Sequence, residues 1–397
     1  MQLTMIEINQ IRDKYQKMAV NKWAKAGFKG SIFAGTGFGK SRVGVMAIGE
    51  TLKRDSKANA LILVPTTQLQ YQFTEEFTKW GYEDCVNRIE VMCYQSAYKL
   101  IGEHYTIVVC DEVHLGLSIE YRKFFAHNMY DRLLCMTATL PEEDEYREKL
   151  LEIAPMVFSL SLDKCVSLGI VAPYSIYCLP VELSLLERDK YKKINNKFVY
   201  YKYALGNYDA FNQAKLALSN PQSPREEKEA AVGFYKCIRE RKAIIDFAEN
   251  KLTKFKEIVH SNLDKRILGF GGANEFTDML TDSVSPLAVA YHSKKSKKQK
   301  QAALDAFKDG SINVLCSTKA LNQGFDVPDA NFGIICGITS KSLSMIQRVG
   351  RLIRFQEGKV GKIVIIYVKD SQEEKWLKNS VRQMKNVNWI AKSSDIV

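Results

Sequence analysis

Short runs of β-branched and aliphatic residues alternate along the chain with longer stretches whose apolar positions recur at helical spacing. In the N-terminal part the runs are Ser31–Ala34, Ala60–Val64, Ile89–Cys93, Ile107–Cys110 and Leu133–Met136. The pattern returns at Arg266–Gly269, Leu287–Tyr291, Asn313–Ser317, Gly333–Ile338 and Lys362–Val368. Strands that alternate with helices predict a parallel sheet covered by crossover helices. Two such α/β units are expected here, separated by a mainly helical stretch over residues 165–258. No apolar run reaches the roughly 18 residues a membrane span needs, the longest being runs such as Leu61–Val64 and Ile363–Val368.

Composition changes this picture in two ways. Lysine and arginine outnumber aspartate and glutamate by 57 to 45, a net charge of +12 that favours a polyanionic partner. The nine cysteines include no C-x-x-C pair and the five histidines are scattered, which argues against zinc fingers and four-cysteine iron–sulfur clusters. Cys110 and Cys316 sit inside apolar runs, as buried thiols do in a reducing compartment. The N-terminus lacks a basic start followed by an apolar core, so a cytoplasmic or nucleoid-associated protein is expected.

The first candidate chemistry follows the first strand. Ala34-Gly35-Thr36-Gly37-Phe38-Gly39-Lys40-Ser41 leads into a helix-forming run. Glycines let backbone N–H groups curl around phosphate oxygens, and the helix N-terminus adds its positive dipole end. Lys40 would reach the β- and γ-phosphates of ATP and Ser41 would hold magnesium, although alanine stands at the first glycine of the general pattern. A second signal ends the apolar strand Ile107–Cys110, which runs straight into Asp111-Glu112-Val113-His114. Asp111 at a parallel strand end can hold the magnesium, and Glu112 can orient and deprotonate water.

With these motifs in order, the chain resembles a superfamily two helicase over nearly its whole length. Ala34 through Ser41 matches the family's first motif, and Asp111-Glu112-Val113-His114 its DExH box. Thr137-Ala138-Thr139 is similar to the motif that couples two domains, with His114 on the same path. Arg12 and Tyr15-Gln16 resemble the segment whose glutamine contacts adenine. Val64-Pro65-Thr66 and Tyr94-Gln95-Ser96 resemble loops that touch nucleic acid. Farther on, Ser317 to Pro328 resembles the fifth motif, which implies Thr318 near nucleic acid and Gly324 and Asp326 near nucleotide. Gln347-Arg348-Val349-Gly350-Arg351-Leu352-Ile353-Arg354 matches the sixth. The resemblance implies two RecA-like parallel-sheet domains in tandem, over 1–164 and 259–397, joined by a helical connecting and insert segment over 165–258.

Three arginines of the sixth motif lie three apart and would share one helix face. A guanidinium on a γ-phosphate is worth about 10³–10⁵ in rate. The resemblance gives that part to Arg351 and Arg354, with Gln347 near the γ-phosphate or the attacking water. Between residues 187 and 265 there are 17 basic against 11 acidic residues, half of the total surplus. There Tyr191, Ile194, Phe198, Tyr201 and Leu205 fall at core spacing, which leaves Tyr200 and Tyr203 as the nucleic-acid candidates. Lys294, Lys295, Lys297, Lys298 and Lys300 form a second basic cluster.

The DEVH box and the R-x-x-Y-Q start resemble DNA-repair, branch-migration and phage recombination helicases. The expected function is therefore an ATP-dependent, monomeric motor on forked or branched DNA, with no membrane partner. An RNA helicase, and a duplex translocase or motor subunit that does not separate strands, are the alternatives.

Overall fold

The computed structural model describes residues 4–138, 140–141, 143–318, 330, 332–338, 360–382 and 384–396, apart from the side chain of Gln68. The first sheet contains β1 (Lys29–Ala34), β2 (Ala60–Val64), β3 (Ile89–Cys93), β4 (His104–Cys110), β5 (Met129–Thr137) and β6 (Met156–Leu160). Their order is β3-β2-β4-β5-β1-β6, and every pair is parallel. The central strands are apolar on both faces because helices cover both: β2, ALILV, is buried at every position. The helices here are α1 (Met5–Lys25), α2 (Lys40–Arg54), α3 (Thr67–Lys79), α4 (Tyr94–Ala97), α5 (Lys123–His127), α6 (Asp144–Ile153) and α7 (Leu162–Ser167). A capping box of Thr4 and Glu7 starts α1. Trp23, on the same helix, fixes it to the sheet by donating from Nε1 to the Leu133 carbonyl at 2.8 Å.

The second sheet contains β7 (Tyr174–Val181), β8 (Ile267–Phe270), β9 (Ala288–Tyr291), β10 (Val314–Ser317), β11 (Phe332–Ile335), β12 (Gly361–Val368) and β13 (Val387–Trp389). It is also parallel throughout, in the order β13-β7-β12-β11-β8-β10-β9. Its helices are α11 (Glu249–His260), α12 (Asn274–Ser283), α13 (Lys297–Lys308) and α14 (Gln372–Val381). A fully buried ion pair, Lys251 to Glu373 at 2.6 Å, joins α11 to α14, and Lys251 also donates to the Cys336 carbonyl at 2.8 Å. Both charges keep hydrogen-bonding partners, which a buried pair requires.

The segment over 165–258 supplies a strand to this sheet as well as helices. Strand β7 was not among the expected ones, and Pro180 within it explains why, since proline cannot donate to a ladder. The structure accommodates it at a local edge: β13 pairs with β7 at Ile176, Tyr177 and Cys178, and beyond Cys178 that side of β7 has no partner strand among the described residues. After β7, α8 (Leu185–Ala204), α9 (Ala210–Ser219) and α10 (Arg225–Asp246) form a small bundle. Leu205, Ala214, Ala231 and Phe234 make its core, with Phe198 and Tyr201 packed on it. Among the described residues, no helix is long and apolar enough to cross a membrane.

Candidate nucleotide site

In a parallel sheet every strand delivers its following loop to the same edge, where ligands bind. In the first sheet that edge collects the motifs. The phosphate loop leaves β1, Pro65-Thr66 leaves β2, Tyr94-Gln95-Ser96 leaves β3, Asp111-Glu112 leaves β4, and Thr137 ends β5. Thr318 follows β10 in the second sheet.

The phosphate loop depends on two glycines. Gly37 and Gly39 both have φ of 86°, where a side chain is strained. A Cβ at Gly37 would collide with Val171 Cγ1, and one at Gly39 with Gln16 Nε2. Gly39 caps α2 with no side-chain hydrogen bond, so the helix's first N–H groups receive no such acceptor. Lys40 Nζ folds back to donate to the Ala34 carbonyl at 3.1 Å. Thr36 Oγ1 is buried without a partner. Gly35 is buried beside it, and Ser41 is half-buried at the start of α2. Helix dipole, lysine, hydroxyls and an unpaired buried oxygen fit a polyphosphate with a hard divalent cation.

Gln16, expected near adenine, meets the phosphate loop itself. Its carboxamide is buried and bound to the loop: Nε2 donates to the Phe38 carbonyl at 2.8 Å and to the Gly39 carbonyl at 3.2 Å. Oε1 accepts from Arg42 at 2.7 Å. In this state the side chain is a strut of the phosphate loop, with its hydrogen bonds directed to protein. Arg42 also pairs with Asp13 at 2.5 Å and stacks over Trp80 at 4.0 Å. Nothing in the sequence pattern marks Asp13, Arg42 or Trp80, because their partnership exists only once α1, α2 and the end of α3 pack. Arg12 donates to the Ile170 carbonyl at 2.9 Å, tying α1 to the segment between the two sheets.

Asp111 is buried, and burial with the neighbouring Glu112 charge pushes its carboxyl up to about 7 against the opposing pull of Lys40. Glu112 has a left-handed backbone, φ 47°, which turns the chain sharply after β4. Its Oε2 lies 3.4 Å from His114 Nδ1, and that nitrogen lies 3.1 Å from Thr137 Oγ1. The DEVH segment is thereby joined to the end of β5. A further link, from Tyr94, was not anticipated as such. This fully buried ring donates its hydroxyl to the Asp111 carbonyl at 2.8 Å, immediately before the exposed Gln95 and Ser96.

Of the expected nucleic-acid contacts, Gln95 donates to the Pro65 carbonyl at 3.4 Å, which brings the two loops together. Thr66 stands at the N-cap of α3 with its buried Oγ1 unpartnered. Thr318 is buried and donates to Asn274 Oδ1 at 2.8 Å. Thr139, Gly324, Asp326, Gln347, Arg351 and Arg354 lie outside the described residues.

Comparison with known proteins decides the family. Residues 250–356 match the helicase conserved C-terminal domain, and residues 10–142 match the type III restriction enzyme, res subunit. The chain belongs to the superfamily two helicases. This helicase is 28% identical over 380 residues to the "DNA 3'-5' translocase XPB2" of Sulfurisphaera tokodaii, covering 90% of the chain and 81% of that protein. It is 24% identical to the "ATP-dependent rRNA helicase RRP3" of Yarrowia lipolytica, over 84% of the chain and 62% of that protein. It is 23% identical to a 51.5 kDa protein of a Lactococcus phage, over 79% of the chain and 60% of that protein. The Hef helicase domain of Pyrococcus furiosus shares the fold of this helicase, with a TM-score of 0.56 at 16% identity over 92% of the chain and 97% of that structure. Two parallel sheets in tandem are thus the RecA-like architecture that the resemblance implied.

Proposed function

We propose that this helicase hydrolyses ATP at the edge of its first sheet and couples the reaction to movement on DNA, unwinding or remodelling forked or branched substrates. The observation that carries the reading is the arrival of the Lys40 loop and the Asp111-Glu112 turn at one sheet edge. Lys40 neutralises the β- and γ-phosphates, while Ser41 and Asp111 are the residues that would hold magnesium. Bound there, the cation screens the phosphate charge. Glu112 takes the proton as a water oxygen bonds to the γ-phosphorus; the bond to the β–γ bridging oxygen breaks, and ADP and phosphate leave. His114 and Thr137 carry the state of this turn toward the second domain. By the family resemblance, Arg351 and Arg354, with Gln347, would act at the γ-phosphate, and Gly324 and Asp326 would contact the nucleotide.

Similarity to a DNA translocase over nine-tenths of the chain supports DNA as the track. Pro65, Thr66, Gln95, Ser96 and Thr318 are the proposed backbone contacts. We take the protein to act as a monomer in the cytoplasm or on the nucleoid. The test is ATPase rate with single-stranded DNA, forked DNA and RNA at one ionic strength, since phosphate-driven binding falls steeply with salt. DNA should stimulate, and stimulation by RNA alone would overturn the reading. The match to a restriction-enzyme res subunit favours, as a second reading, a duplex translocase without strand separation. Such a motor would hydrolyse ATP on duplex DNA and release no displaced strand from a fork.

A further inference from the structure

The exposed face of α8 takes no part in the site described above. From Lys190 to Tyr208 the chain carries five lysines and no acidic residue. Lys192, Lys193 and Lys197 are exposed, and among the described residues none of the five forms an ion pair. The cluster that begins at Lys294 differs, because Lys294 pairs with Glu275 and Lys295 with Asp278. Beside the unpaired lysines stand rings that the bundle leaves in water: Tyr200 is 70% exposed, Tyr203 65% and Tyr208 99%.

Helical geometry puts Lys193, Lys197, Tyr200 and Tyr203 on one side of α8. The other side is committed to the bundle, where Phe198 stacks on Phe234 at 5.2 Å and Tyr201 packs against Gly233. The base of the helix is anchored to the second domain. Arg241 of α10 lies 4.2 Å from the Phe198 ring and donates to the Tyr191 hydroxyl and to Gln372 Oε1, each at 3.3 Å. Gln372 begins α14, so whatever α8 holds moves with that domain.

We propose that this face of α8 binds single-stranded DNA, with the lysines on phosphates and Tyr200 and Tyr203 stacking on bases. The inference rests on the reading of the chain as a DNA motor and adds a contact outside the recurring motifs. Charge selects a polyanion, and exposed rings select unpaired bases, whose faces a duplex keeps stacked. As the second domain moves relative to the first, the strand on α8 is carried with it.

The test is fluorescence anisotropy of a labelled single-stranded oligonucleotide with the full chain. Y200A/Y203A should weaken binding about ten- to a hundredfold. Its melting temperature should not change, because both rings are exposed. K192A/K193A/K197A should flatten the salt dependence by about two units of slope. Unchanged affinity in Y200A/Y203A, beside a wild type that binds and is stimulated by DNA, overturns this inference alone. Loss of wild-type self-association in sedimentation, with DNA binding intact, assigns the face to a second copy and also overturns it. A wild type that neither binds DNA nor is stimulated by it defeats the underlying reading, and the inference with it.

Discussion

Replacing Gln16 by methionine should disable the nucleotide site without touching a nucleotide. The substitution keeps an unbranched side chain of similar length and removes three hydrogen bonds, to the Phe38 and Gly39 carbonyls and from Arg42. Each neutral bond is worth about 1 kcal/mol net, and one from a charged donor about 1.5–3 kcal/mol. Arg42 keeps Asp13, so part of the last contribution survives. The expected destabilisation is about 2–4 kcal/mol. If the loop spends correspondingly less time in its binding shape, apparent affinity falls about ten- to a hundredfold. Urea unfolding and titration with ATP and GTP would read both effects. A strut predicts lower stability and equal losses for the two nucleotides. Unchanged stability with a loss confined to ATP would refute the reasoning and return Gln16 to the reading of adenine.

Glu112→Gln should keep ATP binding and lower kcat by about 10²–10⁴, measured by single-turnover hydrolysis; normal turnover would remove Glu112 as the base. Tyr94→Phe deletes the hydroxyl bond to the Asp111 carbonyl, and should reduce the DNA-stimulated rate by about tenfold at saturating DNA with DNA affinity unchanged. Equal stimulation would show that this bond does not couple the two loops. For Asp111, the folded carboxyl sits above its unfolded value, so the native state keeps a proton that the unfolded chain has released. Stability from this group therefore falls as pH rises from about 4 to about 7. Without nucleotide, Asp111→Asn should be more stable than wild type in urea at pH 8, with a smaller advantage at pH 5; the reverse order would contradict the burial argument.

The parts of the fold legible in sequence were those whose signal is local. Both series of strands are continuous apolar runs because both faces of each sheet are covered, and the phosphate loop is one stretch between β1 and α2. Strand limits were less legible: β5 begins at Met129, where its positions are still partly exposed and carry polar residues. β7 was hidden by Pro180, and β13 by its length of three residues. In the site, the chemistry-bearing types were visible and their bracing was not. The motif singles out Gln16 for adenine, whereas its bonds to the phosphate loop depend on how α1 crosses that loop. Tyr94 read as part of a nucleic-acid segment, and only the strand order β3-β2-β4 brings its hydroxyl to the Asp111 carbonyl.

The most direct test of the account is displacement of streptavidin from biotin placed at either end of a DNA strand, with ATP consumption followed in the same reaction. Movement coupled to hydrolysis predicts ATP-dependent displacement from DNA by the wild type and none by Glu112→Gln. Hydrolysis with no displacement from either end, or displacement from RNA alone, would contradict it.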